Sequence, residues 1–121
     1  MPTVLLVEDD SGIRELVAEL LQGEGYSVLE AEDGAEAIDR LVQLRAMGQL
    51  PSAIILDMML PRVSGVEVLR YLQGLGPSTP VIAMSANREE LAKAEAAGAQ
   101  ATLAKPFGLS QLLGILKRYC P

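Results

Sequence analysis

The chain alternates short apolar segments with longer amphipathic ones, five times over. A short apolar run fits a strand buried on both faces, whereas apolar residues spaced three and four apart fit a helix packed by one face. The predicted strands are residues 3–8, 27–31, 53–57, 80–84 and 101–104, and the predicted helices are residues 12–23, 34–47, 65–73, 88–97 and 110–119. This alternation predicts one α/β domain over residues 1–121, with a doubly wound parallel sheet between two layers of helices.

Serines and glycines mark the predicted helix ends. Ser11 and Ser110 are expected to cap the first and last helices, because a hydroxyl can accept a free N–H of the first turn. The predicted stops are Gly23 or Gly25, Gly48, Gly74 with Gly76, and Gly98. The apolar positions of the first helix are Ile13, Leu16, Val17, Leu20 and Leu21.

The composition excludes several classes of function. Among 121 residues there is no histidine, which excludes Ser-His-Asp and Cys-His catalysis and imidazole-bound zinc. A net charge of −6 without a Lys/Arg run argues against direct nucleic-acid binding. No apolar run approaches the length of a membrane span, and the first residues lack the basic region of a signal peptide. Cys120 is the only cysteine, which fits a reducing compartment, so we expect a cytoplasmic protein.

Chemically active side chains collect at the carboxyl ends of the predicted strands. They are Glu8, Asp9 and Asp10 at the end of the first strand, Asp57 at the end of the third, Ser85 after the fourth and Lys105 after the fifth. In an open α/β sheet, ligands bind at this edge, where the strand order reverses. If the first and third strands are neighbours, Asp9 and Asp57 converge beside one crevice.

Each of these side chains also has a purely structural interpretation. Asp10 suits a turn or a helix N-cap, Ser85 alone could cap the fourth helix, and Lys105 alone could be a surface charge. Glu30 and Glu32, near the end of the second strand, are interpreted as solvated charges. The coincidence of acids, a hydroxyl and a lysine at one sheet edge is what favours a functional site.

The chemistry of this set points to phosphoryl transfer. Several carboxylates together favour a hard divalent cation with oxygen ligands, and Mg²⁺ is usual where a phosphate shares the site. A carboxylate beside the cation can attack phosphorus, and phosphoryl transfer needs mainly positioning and charge neutralisation. The Lys105 ammonium and the Ser85 hydroxyl could each bind a phosphoryl oxygen. An ionised carboxylate needs no general base, so the missing histidine is no obstacle.

At this point the sequence resembles the receiver domain of two-component response regulators. The resemblance spans essentially the whole chain. It is carried by VEDD at 7–10, DGAEA at 33–37, ILDMMLP at 55–61 followed by Gly65, MSA at 84–86, and AKPF at 104–107. Each segment is weak alone, but all five in order are specific. The resemblance implies a flavodoxin-like sheet of order 2-1-3-4-5 in a (βα)5 three-layer sandwich.

The resemblance also implies a role for each matching residue. Asp57 would be the phosphoacceptor. Mg²⁺, or Mn²⁺ as a substitute, would be held by Asp57, by Asp9 directly, by Glu8 through water and by the backbone carbonyl of Met59. Lys105 would pair with the phosphoryl group, and the Lys105–Pro106 bond is expected to be cis. Ser85 would be the switch hydroxyl.

Several positions depart from the family pattern. Thr102 stands three residues before the lysine, where an aromatic switch residue is usual, so the usual output coupling is in question. Residues 45–52 (RAMGQLPS) lengthen the second helix and its loop, or provide a partner contact; the first interpretation is favoured. Ser64 replaces a common acidic residue. Met59 and Asn87 lie where side chains tune the lifetime of the phosphoryl group.

A receiver domain implies partners outside this chain. Family members take the phosphoryl group from a histidine kinase or a histidine phosphotransfer protein, and control a downstream protein or output domain. Such a domain acts as a switch in two-component signalling or a phosphorelay, and it catalyses its own phosphorylation and dephosphorylation. Because it acts on itself and does not turn over a substrate, its classification as an enzyme stays open. A phosphorylation-dependent dimer also stays open.

Three alternatives compete with this hypothesis. The first is a pseudo-receiver, a binding scaffold that works without phosphorylation, and Thr102 keeps it open. The second is a nucleotide or flavin module, but no G-x-G-x-x-G follows the first strand. The third is a phosphatase with an aspartyl nucleophile, which would have a second acid where Met59 stands.

Overall fold

In a computed structural model, residues 2–74 and 79–120 form one sheet of five parallel strands flanked by five helices. The strands are β1 (Thr3–Val7), β2 (Ser27–Ala31), β3 (Ala53–Asp57), β4 (Val81–Ser85) and β5 (Ala101–Ala104). The helices are α1 (Ser11–Gly23), α2 (Gly34–Ala46), α3 (Gly65–Gly74), α4 (Arg88–Ala96) and α5 (Leu109–Tyr119). The strand order β2-β1-β3-β4-β5 confirms the predicted doubly wound, flavodoxin-like fold. Each boundary lies within one residue of its predicted position.

Alternate side chains of each central strand enter different helix layers. In β1, Val4 and Leu6 pack with residues of α1 and α5, whereas Leu5 and Val7 pack with residues of α2, α3 and α4. All residues of β3 and β4 are buried. This explains why these strands are continuously apolar, as expected for a sheet covered on both faces. Among the described helices, none combines the length and the apolar character that crossing a bilayer demands.

Two predicted helix caps are wrong. Three of the glycines that were predicted to end helices have the backbone conformation that this role requires. Asp10 caps α1, since its Oδ1 accepts the Ile13 N–H at 3.0 Å, while Ser11 is already helical. Gly108 is the extended residue before α5, so Ser110 lies inside the first turn. The three stops with positive φ are Gly25, Gly48 and Gly98. The predicted stop at Gly76, like the domain limits at residues 1 and 121, lies outside the described residues.

The first helix presents a different face to the core than its apolar residues suggest. The structure buries Val17, Ala18 and Leu21, and it leaves Ile13 and Leu16 39% and 54% exposed. Arg14 precedes Val17 by three residues, so it lies on the same face of α1 as the buried residues. The charged side chain of Arg14 therefore lies over the edge of the sheet where β1 ends.

Candidate functional site

Glu8, Asp57 and Lys105 meet at the carboxyl edge of the sheet. Glu8 follows β1, Asp57 ends β3, and these strands are neighbours at the point where the strand order reverses. Lys105 follows β5, and its long side chain crosses the end of β4. The Lys105 Nζ donates to Glu8 Oε1 at 2.8 Å and to Asp57 Oδ2 at 3.1 Å. The two acids are 1% and 3% exposed and the lysine side chain is 22% exposed, so both ion pairs are partly shielded from solvent.

Asp9 completes a cluster of three carboxylates. One carboxylate oxygen from each of Glu8, Asp9 and Asp57 lies within 4.8 Å of the others, with Asp9 exposed and the other two buried. The predicted convergence of Asp9 and Asp57 is therefore present. Ionised, the cluster carries three negative charges against the single positive charge of Lys105. The excess negative charge and the oxygen donors suit a hard divalent cation such as Mg²⁺.

The pKa values of the cluster reflect burial and mutual repulsion. Burial raises the pKa of the Glu8 carboxyl, and neighbouring Asp57 raises it further, while Lys105 opposes the change. Partial desolvation and the nearby Glu8 raise the pKa of Asp9. Burial lowers the pKa of Lys105, but its contacts with Glu8 and Asp57 outweigh this effect, and the net shift is upward. A cation at the cluster would relieve the repulsion among the carboxylates.

Backbone N–H groups fix the orientation of the two buried carboxylates. The Met59 N–H donates to Asp57 Oδ1 at 3.0 Å, and the Asp10 N–H donates to Glu8 Oε2 at 3.3 Å. Each carboxylate thus has one oxygen toward a backbone donor and the other toward Lys105. The side chain of Met59 is 56% exposed.

Ser85 is buried between the strands that carry Asp57 and Lys105. Its carbonyl accepts the Lys105 N–H at 2.9 Å, and its hydroxyl oxygen accepts the Asn87 N–H at 3.0 Å. The interpretation of Ser85 as the cap of the fourth helix is wrong. Asn87 caps α4, because its Oδ1 accepts from the N–H groups of Glu89 and Glu90. The Lys105–Pro106 bond is cis, as predicted.

The structure places three features that depart from the family pattern: Thr102, Ser64 and residues 45–52. Thr102 is half-buried and lies opposite Ala83 in the β4–β5 pair. The Ser64 hydroxyl accepts the Glu67 N–H at 3.3 Å at the start of α3. In the 45–52 segment, α2 ends at Ala46 and a loop leads to β3.

Arg14 was not anticipated from the sequence. Its Nη1 donates to the backbone carbonyl of Glu8 at 2.8 Å, and its Nε donates to Glu30 Oε1 at 3.2 Å. Glu30 therefore pairs with Arg14 although its side chain stays 39% exposed, while Glu32 is exposed. The available signal was the spacing of Arg14 with Val17, Ala18 and Leu21, which places a charged residue on the buried stripe of α1.

A second pairing, also missed, joins the loop after β3 to the start of α2. Asp33 is buried and caps α2 through the Glu36 N–H, and its other carboxylate oxygen pairs with Arg62 at 3.1 Å. Gly34 packs so tightly on the Val63 carbonyl that a Cβ would overlap it. The segment that follows Asp57 is thus attached to α2.

The model of the response regulator receiver domain matches residues 4–117. The chain belongs to this family. Among curated relatives, the response regulator MprA of Mycobacterium tuberculosis is 39% identical over 117 residues, which cover 94% of this chain and 48% of that protein. The chain thus spans about half the length of this relative.

Solved receiver structures share the fold over nearly the whole chain. The chemotaxis response regulator CheY4 of Vibrio cholerae has a TM-score of 0.83 and 32% identity, with 98% of each chain covered. A CheY-like receiver from Methanospirillum hungatei has a TM-score of 0.86 and 27% identity, over 98% of this chain and 92% of that one. The BeF3-activated DrrB receiver domain has a TM-score of 0.84 and 30% identity, over 98% of this chain and 97% of that one. The receiver family accounts for the chain better than the nucleotide, flavin or phosphatase alternatives.

Proposed function

We propose that this receiver domain accepts a phosphoryl group on Asp57 and thereby switches its affinity for a partner. The observation that carries the proposal is the environment of Asp57. It is buried at the switch point of the sheet, contacts the Lys105 ammonium at 3.1 Å, and lies beside Glu8 and Asp9. Such a site holds a carboxylate against a positive charge, with further acids at a distance that suits a shared cation.

Mg²⁺, or Mn²⁺ in its place, fits the acidic cluster. The carboxylates of Asp9 and Asp57 and the backbone carbonyl of Met59 would bind it directly, with Glu8 acting through water. The bound ion supplies charge neutralisation at the phosphoryl oxygens. Because the cluster carries more negative than positive charge, a chain without the cation would repel an incoming phosphate.

The proposed transfer is a direct displacement at phosphorus. A carboxylate oxygen of Asp57 forms a bond to the phosphoryl group of a phosphohistidine, and the nitrogen–phosphorus bond breaks with its electrons returning to the imidazole. Lys105 then pairs with a phosphoryl oxygen, which moves it away from at least one of its present carboxylate partners. Ser85 is one residue beyond the register partner of Asp57, a place from which its hydroxyl can approach the phosphoryl group.

The donor histidine lies outside residues 1–121, because these residues contain none. A histidine kinase or a histidine phosphotransfer protein fits this chemistry. An apolar groove of about 470 Å³ beside Lys105 supports a protein donor, since it is lined by exposed Ile13 and Leu16 together with Pro106 and Phe107. We also propose that the domain acts in the cytoplasm, where such donors are found.

The output is a downstream protein or a domain covalently joined to this one. Longer regulators such as MprA support the second arrangement, because the chain matches only about half of that protein. Thr102 is half-buried where the family usually has an aromatic residue, so we propose that the signal leaves through Ser85 and Lys105 rather than through movement of a ring. A phosphorylation-dependent dimer is one form that this output could take.

Intact-mass measurement tests the proposal. The protein is incubated with Mg²⁺ and a small acyl-phosphate donor, in parallel with Asp57→Asn and with a known receiver as a positive control. We expect one added phosphoryl group on the wild type and none on the variant. Labelling of both proteins would contradict the assignment of Asp57. Labelling of neither, while the control receiver is labelled, would favour the pseudo-receiver, a scaffold independent of phosphorylation.

A further inference from the structure

We propose that Arg14 is a positioning residue that holds the Glu8–Asp9 peptide so that Asp9 faces the cation site. The inference rests on the proposed function, in which Asp9 is a metal ligand. Arg14 itself contacts none of the three carboxylates of the cluster among residues 2–74 and 79–120, so its effect must pass through the backbone.

The contact falls on a single peptide bond. The Arg14 Nη1 donates to the carbonyl oxygen of Glu8 at 2.8 Å, and this carbonyl belongs to the peptide that links Glu8 to Asp9. Because a peptide unit is planar, fixing its carbonyl also fixes the direction of the following N–Cα bond. Arg14 therefore restricts the position from which the exposed Asp9 side chain reaches toward Glu8 and Asp57.

The other polar groups of Glu8 are also held. Its N–H donates to the Ala31 carbonyl at 3.0 Å, its Oε1 accepts from Lys105, and its Oε2 accepts from the Asp10 N–H. The Arg14 contact adds the carbonyl to this set. Asp9 is the next residue and is exposed, so the orientation of its backbone depends on these neighbouring contacts.

Arg14 is held in place from the opposite side. Its Nε donates to Glu30 at the end of β2, and its side chain is only 14% exposed. The planar guanidinium can donate in two directions at once, so it joins the end of β2 to the end of β1 from a position on α1. A lysine, with one ammonium group, cannot reproduce both contacts with the same geometry.

Mg²⁺ titration of the folded protein tests this inference. Backbone amide signals in ¹H–¹⁵N spectra report the Kd for Mg²⁺, and urea unfolding reports stability. Groups that orient metal ligands typically change affinity about tenfold or more when removed, so we expect Arg14→Ala to raise the Kd by about tenfold. Glu30→Gln should give a smaller increase, because the neutral amide weakens the contact with the Nε of Arg14 and leaves the contact of Arg14 with Glu8 available.

Two matched variants separate positioning from charge and from general stability. Arg40→Ala removes a partly exposed arginine that pairs with Glu36 within α2, and we expect it to leave the Kd unchanged. Arg14→Lys keeps the charge and should restore only part of the affinity. A positive charge near the site opposes cation binding, so loss of the charge alone would lower the Kd. Full restoration by lysine would show that the two guanidinium contacts are not required and would overturn the proposed geometry. An unchanged Kd in folded Arg14→Ala would overturn it as well.

Amide hydrogen exchange without metal provides an independent readout. In Arg14→Ala we expect faster exchange at the hydrogen-bonded amides of Glu8 and Asp10, with the amides of β3 unchanged. Equal exchange in the wild type and the variant would contradict the inference. If the wild type failed to bind Mg²⁺, the metal site of the proposed function would be refuted, and the exchange measurement alone would decide whether Arg14 orders this segment.

Discussion

Replacing Lys105 by methionine should destabilise the metal-free protein strongly at neutral pH. The substitution keeps the length of the side chain and removes the only cation that contacts Glu8 and Asp57 among the described residues. The side chains of these two acids are 1% and 4% exposed, so water cannot replace the lost partner. Leaving buried charges without a partner typically costs 3–5 kcal/mol. Because Lys105 itself is 22% exposed, we expect about 3 kcal/mol, the lower end of that range.

The loss should depend on pH in a defined direction. The pKa of Glu8 is raised in the folded state from an ordinary value of 4.5, so the folded protein keeps a proton that the unfolded chain releases. Stability from this group therefore falls as pH rises above 4.5 and through the folded pKa. Removing Lys105 removes an effect that lowers this pKa, so the pKa rises further. The part of the difference that comes from Glu8 should be small near pH 4.5 and should grow toward neutrality, so the total loss should be larger at neutral pH.

Urea unfolding followed by circular dichroism, in buffer containing a chelator, measures this difference. The matched control is Lys93→Met, because Lys93 also lies 3.1 Å from a carboxylate, that of Glu90, but is 60% exposed. An exposed pair of this kind should contribute less than about 1 kcal/mol. Equal losses in the two variants would refute the reasoning, as would a Lys105→Met loss that is the same at acidic and neutral pH.

Two further substitutions test the packing of the fold, one at the carboxyl edge of the sheet and one at its opposite edge, each with a matched control. Gly34→Ala should lower the free energy of unfolding by about 1–3 kcal/mol, because the new methyl group overlaps the Val63 carbonyl. In α5, Gly114→Ala meets no atom of the described residues within 4 Å and should raise it by about 0.5–1 kcal/mol. A Gly34→Ala protein as stable as the wild type in urea would contradict the close approach. Tyr26→Phe should lose about 1 kcal/mol, because the buried Tyr26 hydroxyl donates to the Cys120 carbonyl at 2.9 Å. Tyr119→Phe removes an exposed hydrogen bond to the Gln100 carbonyl and should lower the free energy of unfolding by a smaller amount. A larger loss for Tyr119→Phe than for Tyr26→Phe, in thermal or urea unfolding, would count against this account.

The fold was predictable because its pattern is local. Each strand is apolar enough to be buried on both faces, and each helix lies between turn residues, so the element boundaries follow from short stretches of sequence. The position of the site was predictable for a related reason. Parallel strands bring their carboxyl ends to one edge, so acids at the ends of the first and third strands face the same crevice if these strands are neighbours, as the structure shows.

The contacts within the site were less predictable, because they join residues far apart in sequence. Lys105 pairs with Glu8 and Asp57 at the same time, and Arg14 connects the ends of β1 and β2. Such pairings depend on side-chain conformations that packing decides, and residue spacing alone does not specify them. The same is true of α1, where burial of Ala18 rather than Leu16 turns Arg14 toward the sheet.

Locating the phosphoryl group on the chain tests the central claim most directly. After incubation with an acyl-phosphate donor, with or without Mg²⁺, borohydride reduces an aspartyl phosphate to homoserine, which peptide mass mapping can place. The absence of histidine removes phosphohistidine as a competing product. We predict homoserine at position 57 in the sample with Mg²⁺ and very little without it. Homoserine at Asp9 or elsewhere, or equal conversion in both samples, would contradict the account.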